Sequence, residues 1–169
     1  LVAWLARDDG GRSPVVTATV SNIASPRAGR IFYLGLGVAN HPEPRWRLQG
    51  PARDVAAFAE ALRDLYGERA LSKTLVDEQV TRTAIRAARE HLLQAGADDT
   101  VLVHLAGHGF LADGGRYHFL SHDGEPARPD TCLSFDDLEG LLEGLSAGSK
   151  LVLLDTCHSG PVDRASTVA

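Results

Sequence analysis

Methionine is absent from this 169-residue chain, even at position 1. Without an initiator, and opening in mid-pattern, the sequence reads as a stretch excised from a longer protein. Cysteine is almost as scarce. Cys132 and Cys157 are the only two, too few for a disulfide framework and suited to a reducing, cytoplasmic setting. Positive charge is never concentrated. Lys and Arg are scattered and the formal net charge is -5, so the basic patch that nucleic acid or a membrane surface would need is missing. The acidic balance fits a basic partner or substrate instead. No apolar stretch approaches the ~18 residues of a membrane helix. The apolar start, Leu1 to Ala6, lacks the basic region and small-residue cleavage site of a secretory signal. Internal repeats and low-complexity segments are also missing. What is present, 44% hydrophobic and 23% charged residues, is the balance of one soluble globular domain able to bury a core.

Residues 1–29 carry Gly10-Gly11, Pro14, Pro26 and Gly29 around a β-like run from Val15 to Val20, and read as a lead-in or linker. The domain proper occupies 30–169. Ile31 to Val38 is a short apolar run ending among glycines, the mark of a strand buried on both faces. A Pro-rich loop over 39–50 follows. Val55, Phe58, Ala59, Leu62 and Tyr66 then recur at helical spacing, predicting a helix over about 52–66. Strands are expected at Leu71 to Val76, Val101 to Ala106 and Lys150 to Leu154, with a hairpin strand over 116–120. Helices are expected over about 82–95, capped by Thr81, and from Ser134 to about 145, where Ser134 and Asp137 form a capping box. Alternating strands and helices predict an α/β fold with a mainly parallel sheet covered by helices on both faces. Ligands of such sheets bind beyond the carboxyl ends of the strands.

Two residues with chemistry sit at such ends. His108 follows the strand Val101 to Ala106, and Cys157 follows the strand Lys150 to Leu154. A free thiol has a pKa of ~8.5 and reacts as its thiolate. An imidazole beside it takes that proton and later returns it to a leaving amine. The glycines around His108 allow close approach of a substrate backbone and leave main-chain N–H groups for a developing oxyanion. Cys157 is followed by His158-Ser159-Gly160, which reads as a tight turn. Taken singly, each residue has a bland alternative: a buried Cys is usually a small hydrophobe. The spacing alone leaves the dyad and that alternative both open. His104 and His108 share the H-x-x-x-H spacing of zinc sites, but in a strand and without the Glu of H-E-x-x-H, so no metal site is expected. Cys132 is expected to be structural, and His158 is given no role.

The segments LVHLAGHGF (102–110) and LVLLDTCHSG (151–160) resemble the two signature blocks of caspase-like cysteine peptidases. Their separation of about 50 residues is one that caspases show. The D-x-C-H-S-G form, rather than Q-A-C-x-G, is similar to metacaspases and bacterial peptidase C14 proteins, and GPARDV (50–55) resembles the metacaspase segment after the first strand. The resemblance covers roughly residues 30 to 160. It implies a three-layer caspase-like fold and a catalytic domain corresponding to the large-subunit part, here lacking the C-terminal strands. It implies a cysteine endopeptidase with His108 as base and Cys157 as nucleophile, acting in regulated proteolysis or cell-death signalling. The oxyanion donors would be the backbone N–H groups of Gly109 and Cys157. Asp54 and Asp155 would line the pocket for an Arg or Lys before the scissile bond, where a carboxylate pairs with a cation and rejects an acid. The partners implied are a protein or peptide substrate and a small-subunit segment from the same precursor, with no nucleic acid and no membrane. Arg164 lies where an activating self-cut would fall. No cofactor is expected; calcium activation is left open, since nothing reads as a calcium loop. The alternatives are a catalytically silent caspase-like scaffold that binds partners, and a different cysteine-dependent hydrolase on the same sheet.

Overall fold

The computed structural model describes residues 2–3, 16–17, 29–112 and 115–159, with side chains described for 29–112 and 115–156. In the lead-in, strands β1 (Val2–Ala3) and β2 (Val16–Thr17) form a short antiparallel pair. The main sheet begins with β3 (Ile31–Gly37), which alternates cleanly. Phe32, Leu34 and Leu36 face one side and Tyr33 the other, all fully buried. That double burial is why the segment reads as an unbroken apolar run.

Helix α1 (Pro51–Tyr66) has Pro at its first position and Gly67 at φ 58 just past its end, the common start and stop chemistry. Its Val55, Phe58 and Leu62 line the sheet face that carries Tyr33, and Tyr66 is more exposed than the helical spacing suggested. Strand β4 (Ala70–Val76) returns parallel to β3. Helix α2 (Arg82–Leu92) is capped as expected, Thr81 Oγ1 accepting from the Ala84 N–H at 3.1 Å. Its Ile85, Ala88 and Leu92 bury against the opposite sheet face. Strand β5 (Thr100–Leu111) lies at the sheet's centre, with β6 (Tyr117–Phe119), β7 (Leu133–Ser134), α3 (Phe135–Leu142) and β8 (Ser149–Ser159) following. Helix α3 starts at the expected box, Ser134 Oγ accepting from Asp137 N–H and the Asp137 carboxylate from Ser134 N–H, both at 3.1 Å. It packs beside α2, where Arg82 and Arg86 reach the same carboxylate at 3.1 and 3.2 Å. The fold is therefore the expected three-layer α/β arrangement, with α1 on one face and α2 and α3 on the other.

The strand ends differ from expectation. Strand β5 runs on to Leu111 instead of stopping at Ala106, and β8 to Ser159 instead of Leu154. Each supports the other, for they pair in parallel register from Thr100↔Ser149 to Phe110↔Ser159. On its other edge β5 pairs with β3 up to Gly37↔Ala106, then with β6 from Gly109↔Phe119. Residues 107–111 and 155–159 are thus held by ladders rather than released into turns, and His158-Ser159 is strand, not turn. The helices, in contrast, end early. Helix α2 stops at Leu92 rather than 95, and α3 at Leu142 rather than 145, because Glu143 is extended and Gly144 takes φ 68.

Asp99 sets where these strands start. Its carboxylate accepts from Arg30 N–H at 2.7 Å and Gly96 N–H at 2.8 Å, and pairs with the Arg30 guanidinium at 2.8 Å. Its carbonyl accepts from Gly148 N–H at 3.1 Å. One residue thereby ties the first residues of β3, β5 and β8 together.

Candidate active site

Beyond the last residue of β3, strand β5 projects with β8 still beside it. In this projection His108 and Cys157 are register partners. Neighbouring strands run about 4.8 Å apart, so the two positions adjoin across one ladder step. The sequence left the adjacency of these strands open; they are neighbours. The Cys157 side chain lies outside the described residues.

His108 is half-buried, and both ring nitrogens are buried with no hydrogen-bond partner among the described residues. Burial lowers its pKa, the Trp46 main chain opposes this, and His41 adds to the lowering. The Trp46 main chain approaches without the geometry of a formed hydrogen bond. An imidazole so placed stays neutral near pH 7, which is the state a general base requires. The Trp46 indole packs edge-on against it at 5.4 Å and 76°. The Trp46 Nε1 is likewise buried without a partner. Trp46 was not expected at the site, since its segment read only as a Pro-rich loop; a tryptophan in a polar loop before a helix is the one signal there.

That loop is well anchored. Its ends meet through Leu48 N–H to Ala39 O at 2.8 Å. The Asp77 carboxylate accepts from Ala39 N–H and Asn40 N–H at 2.8 and 2.7 Å, and Asp77 itself holds φ 47. Pro44 opens the 3-10 turn Pro44–Trp46 that carries the indole.

The glycines of G-H-G also answer to packing. Gly107 has φ 152, and a Cβ there would press on Phe119 at 3.1 Å. A Cβ on Gly109 would meet the Tyr117 ring at 2.7 Å and Thr156 Oγ1 at 2.8 Å. Tyr117 and Thr156 share a 3.0 Å hydrogen bond across that spot. Gly109 is paired on both edges, to Phe119 and to His158.

Asp155 is exposed on β8 opposite Ala106. Asp54 stands in the first turn of α1, its side chain 45% exposed and 3.7 Å from Arg53 Nε. The two carboxylates come from different elements, yet the charge of each reaches His104. His104 is 5% exposed, shares a 2.9 Å hydrogen bond with Tyr33 Oη, and packs against Phe58 at 5.3 Å. Burial lowers its pKa, with Asp155 and Asp54 acting against that. It is a buried histidine of the core. No group of three His, Cys, Asp or Glu suited to a metal occurs among the described residues. Cys132 is buried and its thiol is pushed up to about 11 by burial, consistent with a structural role. Arg164 lies outside the described residues.

The chain belongs to the caspase-domain family of C14 peptidases, whose sequence profile matches residues 36–168. The chemistry of that family is cysteine-dependent peptide hydrolysis. Among solved structures, the chain is similar to protein GSU0716 from Geobacter sulfurreducens, known from a crystal structure, at 25% identity and a TM-score of 0.58. The likeness covers 78% of this chain and 52% of that one, so the chain spans about half the length of that relative. No curated protein matches. No described helix is long and apolar enough to cross a membrane.

Proposed function

We propose that this chain is the nucleophile-bearing part of a metacaspase-like cysteine endopeptidase that cuts after Arg or Lys. The observation that carries the reading is the register pairing of His108 with Cys157 on adjacent parallel strands. His108 takes the thiol proton, and the Cys157 thiolate attacks the scissile carbonyl carbon. As the tetrahedral intermediate collapses, the C–N bond breaks and the imidazolium gives its proton to the leaving amine. Water, deprotonated by His108, then cleaves the thioester, releasing the acid and restoring the thiol–imidazole pair. The main-chain N–H of Cys157 is the proposed oxyanion donor, joined by that of Gly109 once substrate draws it out of its ladder. Asp54 and Asp155, both electrostatically close to His104, are proposed to receive the cationic side chain before the cut.

The substrate is then a protein or peptide with a basic residue at the cut, met in a reducing cytoplasm and in regulated proteolysis. The remainder of the cleft is assigned to a small-subunit segment of the same precursor. The edge strand β8 supports this, since Leu151, Val152, Leu153 and Leu154 are 54%, 38%, 38% and 47% exposed. A silent scaffold is the second reading, favoured by the burial of both His108 nitrogens and the double pairing of Gly109. A thiol-reactive peptide ketone ending in Arg, applied to the complete protein, separates the two. The expected result is one label, mapped to Cys157 and lost in Cys157→Ala, with no label from the Asp-ended analogue. Labelling by the Asp probe alone overturns the basic specificity; no labelling by either supports the scaffold.

A further inference from the structure

In cysteine and serine hydrolases the base is usually oriented by a third group that hydrogen-bonds its far nitrogen. Here no described side chain does so. Both His108 nitrogens are buried with no hydrogen-bond partner among the described residues, the Trp46 main chain lies nearby, and the edge of the Trp46 indole packs on the ring. We propose that the Trp46 side chain is the positioning residue for His108, holding the imidazole by ring packing and sealing it from water. This inference rests on the reading of His108 as the base.

Three observations support it. The contact is specific in geometry, since 5.4 Å with a 76° tilt is the edge-to-face arrangement that aromatic pairs prefer. The indole is itself fixed, with the Arg45 guanidinium over it at 5.3 Å and Arg45 Nε held by Glu43 at 2.6 Å. The loop beneath it is pinned from three directions: by Asp77, by the Ala39–Leu48 closure, and by His41, whose ring nitrogens engage Gly124 O at 3.2 Å and Glu43 N–H at 3.1 Å. Asp77 adopts a left-handed backbone, φ 47, at a cost in strain for a non-glycine residue. That cost is tolerated in return for two hydrogen bonds to the start of the loop. This anchoring places Trp46 against His108 on the projecting end of β5. Among the described side chains the titratable group acting on His108 is His41 from this loop, and Cys157 is the register partner of His108 on β8.

The test is an NMR titration of the His108 ring in the full chain, assigned with His108→Gln. Trp46→Ala admits water and is expected to raise the His108 pKa by about half a unit or more, toward the ordinary ~6.5. Trp46→Phe keeps the edge contact and is expected to leave the titration near its original midpoint. In the unsubstituted protein, the Trp46 Nε1–H resonance should move with the His108 midpoint and stop moving in His108→Gln. This second measurement stands even if Trp46→Ala does not fold. An unchanged His108 titration in folded Trp46→Ala overturns the inference. So does an indole resonance indifferent to pH through that midpoint. Failure of the peptidase reading looks different, as a Cys157 that labels with no probe while the Trp46–His108 titrations still behave as described.

Discussion

Gly109 shows how a single missing Cβ can shape a site. Its neighbours on the helix α2 and α3 side, Tyr117 and Thr156, come within 2.7–2.8 Å of where a methyl would stand. Their shared hydrogen bond needs that space. The Tyr117 ring cannot retreat as the end of a flexible chain would, so overpacking is the expected outcome. Gly109→Ala should destabilise the fold by about 1–3 kcal/mol, read as a lower urea midpoint with an unchanged slope. A loss below about 0.5 kcal/mol would show that the pair yields freely. The sequence made these glycines conspicuous as room for a substrate and as oxyanion donors, not as packing positions. Their packing partners come from β6 and β8, which are distant in the chain, so no local pattern could reveal them. Cys132 was expected to be structural and is buried with Phe110 and Leu120.

At the scale of elements, most of the sheet was legible. Alternation in β3, the Thr81 cap and the Ser134–Asp137 box are all written within a few residues of where they act. The ends of β5 and β8 were not, because those ends exist only through pairing with each other and with β6. Register is the quantity on which the site depends, and Asp99 is the residue that sets it. Arg30 holds the Asp99 carboxylate below the usual range, to about 2, helped by the Gly96 N–H and opposed by burial. Because the folded pKa lies below the unfolded one of ~3.9, the contribution is complete above about pH 5. It is lost as pH falls from there toward about 2. Asp99→Ala should therefore cost about 1–3 kcal/mol near pH 6, with the gap from wild type narrowing steadily below about pH 5. A gap independent of pH would mean that Asp99 acts through packing and not through its charge.

Across the whole molecule, the position of the site followed from the class of fold: residues with chemistry collect where parallel strands end. His108 and Cys157 were singled out in this way, and both lie in extended strand, where a turn was expected after Cys157. Trp46 escaped, since aromatic packing onto a distant strand leaves no periodic trace in a loop. Family membership gives the general chemistry of cysteine peptidases, and positions 108 and 157 are register partners on adjacent strands. The most direct test is the rate of Cys157 alkylation by iodoacetamide against pH, in the complete protein and in His108→Ala, with Cys132→Ser in both backgrounds. A thiol coupled to His108 should react with an apparent pKa below the ~8.5 of a free thiol. At pH 7 the His108→Ala form should then react about tenfold or more slowly. Superimposable profiles with a midpoint near the free-thiol value would contradict the dyad.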